Sequence, residues 1–140
     1  VDYFHKKLGK IMWEKCGMSR NKKGLVSAIK EINKLREEFY SKVYVPETVD
    51  EYNEELVKAG RVADFLELAE IFAKDALNRE ESCGGHFREE HQSSEGEALR
   101  DDKNYNYVAA WEYGENGNNE TLHKEKLDFK FVELKSRSYK

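Results

Sequence analysis

Apolar residues recur at helical spacing in three stretches of the chain, within residues 4–16, 25–43 and 56–77. Apolar positions three or four residues apart form one face of an amphipathic helix, so each stretch predicts a helix that packs by one side. The third stripe is broader than the others, as expected for a central helix that contacts two neighbours. The stripes comprise Phe4, Leu8, Ile11, Met12 and Cys16; Leu25, Ala28, Ile29, Ile32, Leu35, Phe39 and Val43; and Leu56, Ala59, Val62, Ala63, Leu66, Ala69, Ile71, Phe72, Ala76 and Leu77.

Glycine, proline and capping residues predict where these helices end. Gly17 is well placed to end the first helix in the left-handed conformation, and residues 21–24 are expected to form a loop. The second helix is expected to end before Pro46, because the residue before proline avoids the α region. Thr48 or Asp50 could cap the third helix with its side-chain oxygen.

The third helix is expected to run for about 25 residues, until Gly84 and Gly85 stop it. Three amphipathic helices with short connections predict an up-down-up bundle over residues 1–85, similar to a spectrin repeat. The predicted fold class is therefore mainly α.

Residues 86–140 follow a different pattern and predict an irregular, extended tail that packs on the bundle to complete one domain. Residues 86–106 are polar and acidic without a clear period. Residues 107–113 are aromatic and typical of a strand, and a turn-rich loop follows at 114–119. Residues 121–125 could return as a second strand, which predicts a β-hairpin.

The composition indicates a small core under a heavily charged surface, with 37% charged and 39% hydrophobic residues. No apolar run approaches the roughly 18 residues that a membrane helix needs, and no signal peptide is recognisable. Because the chain opens on Val1 rather than Met, we expect a processed or excised chain. Cys16 and Cys83 offer neither a disulfide framework nor a four-ligand zinc site.

The net charge of −4 is distributed unevenly. Residues 1–44 hold 11 Lys/Arg and 5 Asp/Glu, a balance of +6, whereas residues 45–104 hold 7 and 17, a balance of −10. We interpret the two segments as oppositely charged helical faces. Nucleic-acid binding by the basic segment is not expected, because the acidic middle would repel phosphates.

The densest polar cluster spans residues 79–91. Within it, Cys83 and His86 have the spacing of two metal ligands, but no second pair lies at a standard spacing elsewhere in the chain. The order from His86 to His91 also misses a zinc-binding motif by one residue. We therefore expect no metal site.

Three further interpretations of this cluster stay open on the residues alone. Cys83 and His86 could form a nucleophile pair, although a helix C-terminus disfavours a thiolate. The turn at Gly84 and Gly85, with His86 and Arg88, could bind a carboxylate or phosphate. The remaining interpretation is structural: a helix-terminating turn whose His and Arg hydrogen-bond to carbonyls or carboxylates and hold the tail.

Sequence motifs of nucleotide binding and hydrolysis are not found. The chain lacks Gly-x-Gly-x-x-Gly, Gly-x4-Gly-Lys-Ser/Thr and Gly-x-Ser-x-Gly. Trp13, Trp111 and Tyr113 could stack on bases, but aromatic residues at these spacings are more often found in a core or an interface. On its own, the chain shows no complete catalytic constellation.

Five segments, residues 7–21, 61–70, 78–90, 95–102 and 135–140, resemble the C-terminal helical domain of succinate dehydrogenase and fumarate reductase flavoprotein subunits. The resemblance covers nearly the whole chain in order, and residues 78–90 carry its best-marked motif.

The motif departs from the family pattern at two positions. Many relatives have Ser-Arg-Gly-Ala-His-x-Arg where this chain has Ser82-Cys83-Gly84-Gly85-His86-Phe87-Arg88. The departures, at Cys83 and Gly85, suggest a subgroup rather than a different family.

The resemblance implies a parent subunit that interconverts succinate and fumarate by hydride transfer at FAD, in electron transport and the tricarboxylic acid cycle. The partners that it implies are a membrane anchor and an iron–sulfur subunit, at the inner, cytoplasmic face of the membrane. The family's catalytic and FAD-linking residues have no counterpart here, so we expect no FAD binding and no catalysis by this chain alone.

The resemblance further implies that the bundle packs on the flavin-binding domain of the same subunit. We expect a docking or structural motif there, formed by Ser82, Gly84, Gly85, His86 and Arg88. Two alternatives remain: a free-standing helical interaction module, and the equivalent domain of L-aspartate oxidase.

Overall fold

The computed structural model describes residues 1–46, 51–114 and 120–135, which form two compact units, Val1–Asn78 and Arg79–Lys140. We call them the helical unit and the C-terminal unit. The fold is mainly α, as predicted. Within the described ranges the elements are α1 (Asp2–Cys16), β1 (Ser19–Arg20), α2 (Lys22–Lys42), α3 (Glu54–Asn78), β2 (Phe87–Arg88), α4 (Asp102–Tyr105), β3 (Tyr107–Glu112) and β4 (Thr121–Lys126).

Some predictions lie outside the described residues. These are the capping roles of Thr48 and Asp50, most of the predicted loop at 114–119, and the last five residues of the family resemblance, 136–140. Within the described ranges, no helix combines the length and the apolar character needed to span a bilayer.

The helical unit is a three-helix bundle, which confirms the prediction from the apolar stripes. Leu25, Ala28 and Ile32 of α2 are fully buried, as is Leu66 of α3. The rings of Phe4 and Phe39 join α1 to α2 edge to face, with centroids 5.2 Å apart. Burial of these apolar faces stabilises the bundle, because each large side chain contributes roughly 1.5–3 kcal/mol when removed from water.

The prediction of a left-handed cap at Gly17 is wrong. Gly17 has φ −64° and ψ −162°, which is extended backbone. Glycine is needed for a different reason: a Cβ at this position would lie 2.8 Å from the backbone oxygen of Trp13. The chain therefore leaves α1 by a close approach to the last turn rather than by a positive φ.

The helix α2 begins earlier than predicted. Asn21 is its N-cap, and the Asn21 side chain accepts a hydrogen bond of 2.8 Å from the Gly24 N–H. The predicted loop at 21–24 is therefore the cap and first turn of the helix, since asparagine satisfies an N–H group that the helix leaves unpaired. The helix ends at Lys42, before Pro46, as predicted.

The helix α3 begins at Glu54 and ends at Asn78, before the predicted stop at Gly84. The Asn53 side chain accepts a hydrogen bond of 3.0 Å from the Leu56 N–H. Asn53 thus pairs an N–H group in the first turn of α3, which is the role that was predicted for Thr48 or Asp50.

A buried carboxylate joins α2 to α3. Glu70 is almost fully buried, and its oxygens lie 2.7 Å from Arg36 Nη1 and 2.9 Å from Lys74 Nζ. Asn33 Nδ2 donates a hydrogen bond of 3.1 Å to it. Burial acts to raise the pKa of Glu70, but the hydrogen bonds from Lys74 and Asn33 and the charge of Arg36 hold that pKa below its usual value.

In the C-terminal unit, β3 and β4 pair antiparallel from Tyr107 opposite Lys126 to Glu112 opposite Thr121. This confirms the predicted hairpin. The side chain of Glu112 lies 2.6 Å from His123 Nε2 across the pair.

The segment predicted to be irregular, residues 86–106, contains a tight turn. Gln92 and Ala98 form an isolated antiparallel β-bridge, and Gly96 between them has φ +82°. The Ser93 hydroxyl accepts hydrogen bonds from the Glu95 and Glu97 N–H groups. Local hydrogen bonds of this kind hold a loop without regular secondary structure.

Candidate functional site

The predicted docking motif, residues 82–88, contains a two-residue turn at Gly84 and Gly85. The Cys83 N–H donates to the His86 carbonyl at 2.8 Å, and the His86 N–H donates back to the Cys83 carbonyl at 3.0 Å. Gly84 has φ +59°, a conformation that costs a residue with a Cβ about 1–2 kcal/mol. The turn therefore needs glycine at the first of its two central positions.

Ser82 and Arg88 meet across this turn. Ser82 is fully buried; its hydroxyl accepts a hydrogen bond of 2.8 Å from the Arg88 N–H and donates one of 3.2 Å to the Arg88 carbonyl. The Ser82 N–H donates to the Leu99 carbonyl at 2.8 Å. Ser82 thus ties both the turn and the segment near Leu99 into one unit.

His86 and Arg88 converge on one backbone oxygen. His86 Nε2 donates to the Arg79 carbonyl at 2.9 Å, and Arg88 Nη1 donates to the same oxygen at 3.4 Å. Arg88 Nε also pairs with Glu90 at 3.1 Å. Arg88 is 1% exposed, so its guanidinium lies inside the unit rather than on its surface.

Two residues that the sequence did not single out organise the same region. Arg79 Nη1 lies 2.7 Å from Glu81 Oε1, and the guanidinium donates to the carbonyls of Tyr105 and Tyr107, each at 3.1 Å. The other oxygen of Glu81, Oε2, accepts a hydrogen bond of 2.9 Å from the Asp101 N–H. The region is therefore organised by an ion pair in which Glu81 is buried and Arg79 is partly exposed.

The Arg79 guanidinium also lies over the Tyr107 ring, 5.0 Å from its centroid, and Lys124 Nζ lies 4.5 Å from that centroid. Such cation–π contacts contribute about 0.5–2 kcal/mol each. The hairpin strand β3 is thereby attached to the residue that follows α3.

The positions of these side chains can be compared with two interpretations of residues 79–91, a metal site and a nucleophile pair of Cys83 and His86. The described residues contain no group of three or more His, Cys, Asp or Glu that could hold a metal ion. Cys83 carries an exposed thiol, but His86 Nε2 is directed to the Arg79 carbonyl. Cys16 is buried, and burial raises the pKa of its thiol. The polar groups of the motif chiefly bind backbone of their own unit.

Comparison with known families gives a match over nearly the whole chain. The family model described as "Fumarate reductase flavoprotein C-term" matches residues 5–139. The fumarate reductase flavoprotein subunit of Haemophilus influenzae is 29% identical over 79% of this chain and 17% of its own length. That of Proteus vulgaris is 33% identical over 70% of this chain and 16% of its own length.

A third similar protein belongs to the fumarate reductase (CoM/CoB) of Methanothermobacter marburgensis, and it is 34% identical over 59% of this chain and 15% of its own length. The chain thus spans about a sixth of the length of the curated relatives it matches.

Solved structures share the fold. A variant of FrdA from Escherichia coli quinol fumarate reductase superimposes on 96% of this chain with a TM-score of 0.82 and 24% identity, and 22% of its length is covered. A quinol–fumarate reductase with menaquinol molecules covers 94% of this chain with a TM-score of 0.78 and the same identity.

Proposed function

This chain belongs to the family of fumarate reductase flavoprotein C-terminal domains, and from that membership we propose that it is the structural and docking domain of a subunit that interconverts succinate and fumarate. FAD is the cofactor of the proposed parent subunit. In this proposal the chain contributes no catalytic group and binds no FAD alone.

The observation that carries the proposal is the family match over residues 5–139. The matched relatives are flavoprotein subunits of which this chain covers 16–17%. The chain lacks a Gly-rich dinucleotide-binding motif, which favours a flavin site in the remaining part of such a subunit.

The contacts within the motif support a structural role for it. Ser82 and Arg88 are buried, and their hydrogen bonds hold backbone groups of the same unit. Buried polar groups that are paired in this way fix one conformation. We propose that they present a rigid surface to the flavin-binding domain of the same subunit.

The resemblance to fumarate reductase subunits supports three further proposals. The electrons pass to or come from an iron–sulfur subunit, a membrane anchor holds the complex, and the complex lies at the cytoplasmic face of the membrane.

One experiment tests the role of the chain directly. The 140-residue protein and the full-length subunit from the same gene are purified, and flavin absorbance and fumarate reduction with a reduced dye are measured. The proposal expects both signals only from the full-length subunit. Flavin that co-elutes with the 140-residue protein, or a gene without a flavin-binding part, would overturn it.

A second experiment tests the motif. His86→Ala with Arg88→Ala in the full-length subunit is expected to lower flavin retention and the unfolding temperature, because the Arg79 carbonyl loses both donors. Lys103→Ala, an exposed residue of the same unit, is the control. Wild-type stability, flavin content and turnover in the double variant would contradict the proposed role.

A further inference from the structure

Four large apolar side chains of the helix α3 are exposed in the structure, and three of them lie on one side of the helix. Phe65 is 44% exposed, Leu68 63% and Phe72 45%. Residues separated by three, four and seven positions lie on one side of a helix. We call the surface formed by Phe65, Leu68 and Phe72 the α3 outer face.

The α3 outer face is separate from the side of α3 that packs in the bundle. The bundle side holds the buried carboxylate of Glu70 and a set of small and apolar buried residues, namely Ala59, Val62, Leu66, Ala69, Ala73 and Ala76. The helix is therefore apolar on two adjoining sides, and the bundle covers one of them. A helix with apolar residues on more than one side is normally covered on each, and contiguous exposed apolar residues mark interaction surfaces.

The surroundings of the α3 outer face have the organisation of an interface. The His5 ring stacks on Phe65 with centroids 6.0 Å apart, and the Arg20 guanidinium lies 5.3 Å from the Phe72 centroid. Arg61 lies one helical turn before Phe65. Protein interfaces typically have an apolar centre and a polar rim, and they are enriched in aromatic residues and arginine.

We propose that the α3 outer face docks on the flavin-binding part of the same subunit. This inference rests on the proposed function and adds the surface that makes the contact. The matched relatives extend far beyond the region that corresponds to this chain, which covers only 16–17% of them. A covalently linked segment has a high effective concentration, so three apolar side chains suffice where a separate partner would need a larger surface.

Cysteine labelling in the full-length subunit tests the inference. Leu68→Cys is compared with Leu56→Cys, because Leu56 has a similar exposure of 60% on the same helix but lies about 120° away around its axis. Each variant is treated with a maleimide, and labelling is followed by mass spectrometry of the peptides.

Docking predicts that the cysteine at position 68 is labelled about tenfold or more slowly than the cysteine at position 56, since it reacts only when the interface opens. Protection must persist on dilution and in the isolated full-length subunit. Equal labelling rates would overturn the inference. So would protection that is lost on dilution, which indicates a second copy, or protection that requires another subunit.

The result can be separated from the proposed function. Flavin content of the same full-length preparation shows whether the parent is a flavoprotein. If flavin is present and the two cysteines react equally, the proposed function stands and the docking surface is wrong.

Discussion

Glu81 uses both oxygens of its carboxylate to join Arg79 to the backbone of Asp101. Oε1 lies 2.7 Å from Arg79 Nη1, and Oε2 accepts a hydrogen bond of 2.9 Å from the Asp101 N–H. Glu81 itself is 3% exposed. A buried carboxylate with charged and backbone partners on both oxygens stabilises the fold mainly through what its removal would leave unpaired.

Glu81→Ala is therefore expected to destabilise the C-terminal unit by about 2–3 kcal/mol, because Arg79 loses its counter-charge and Asp101 loses its acceptor. Faster hydrogen exchange at the Asp101 amide, together with a lower urea midpoint, would show this. Glu80→Ala, at the exposed neighbouring position, is the control and is expected to change stability by less than about 0.5 kcal/mol. Equal effects of the two substitutions would contradict the assigned role of Glu81.

Alanine substitutions at the two turn glycines, Gly84 and Gly85, should differ in their effect on stability. Gly84→Ala is expected to lower stability by about 1–2 kcal/mol, because Gly84 has φ +59°. Gly85→Ala is expected to be nearly neutral, since its φ is not positive and a Cβ there would contact nothing within 4 Å. Thermal unfolding of the two variants compares them, and a larger loss for Gly85→Ala would refute the assignment of the turn.

Gly17 and Gly9 form a second matched pair, in the helical unit. Gly17→Ala places a methyl group against the Trp13 carbonyl and is expected to cost about 1–3 kcal/mol. Gly9→Ala lies inside α1 with no neighbour within 4 Å of the added Cβ, so it is expected to stabilise by about 0.5–1 kcal/mol. The free energy of unfolding in urea measures both, and only opposite signs agree with the structure.

The Glu70 carboxylate predicts a dependence of stability on pH. Its pKa is held below the ordinary value of 4.5 in the folded state. The stabilisation is therefore fully present above that value and declines as the pH falls through the folded pKa. Glu70→Gln is expected to lower stability at pH 7 by about 1–3 kcal/mol.

The difference between wild type and Glu70→Gln should shrink as the pH falls below 4.5. Glu67→Gln is the control, because Glu67 is more exposed and contacts the same Arg36 at 3.3 Å. A pH-independent difference for Glu70→Gln would show that its charge does not contribute.

The helices were predictable because burial follows the apolar stripes. Leu25, Ile32 and Leu66 lie where the helical period places them, in the core. The caps were less predictable, since asparagine and glycine serve several kinds of backbone. Asn21 occurs in a polar stretch typical of loops, yet it caps α2, and Gly17 is required by the nearness of the Trp13 carbonyl.

The docking role of the candidate motif stays a prediction, and the ion pair beside the motif was not predicted. Ser82, Gly84, Gly85, His86 and Arg88, the residues of the predicted motif, lie at one turn. Arg79 and Glu81 lie in the polar cluster at 79–91 but were assigned no separate role, because a charged residue is expected to be exposed unless distant partners bury it. Their partners, the carbonyl of Tyr105 and the amide of Asp101, lie too far along the chain for a local pattern to indicate them.

The contact between Arg79 and the Tyr105 carbonyl spans 26 residues and closes a loop. The chain must give up the entropy of that closure before the contact stabilises anything. Structures dominated by such distant contacts fold more slowly than helices joined by short connections. The C-terminal unit is therefore expected to order after the bundle.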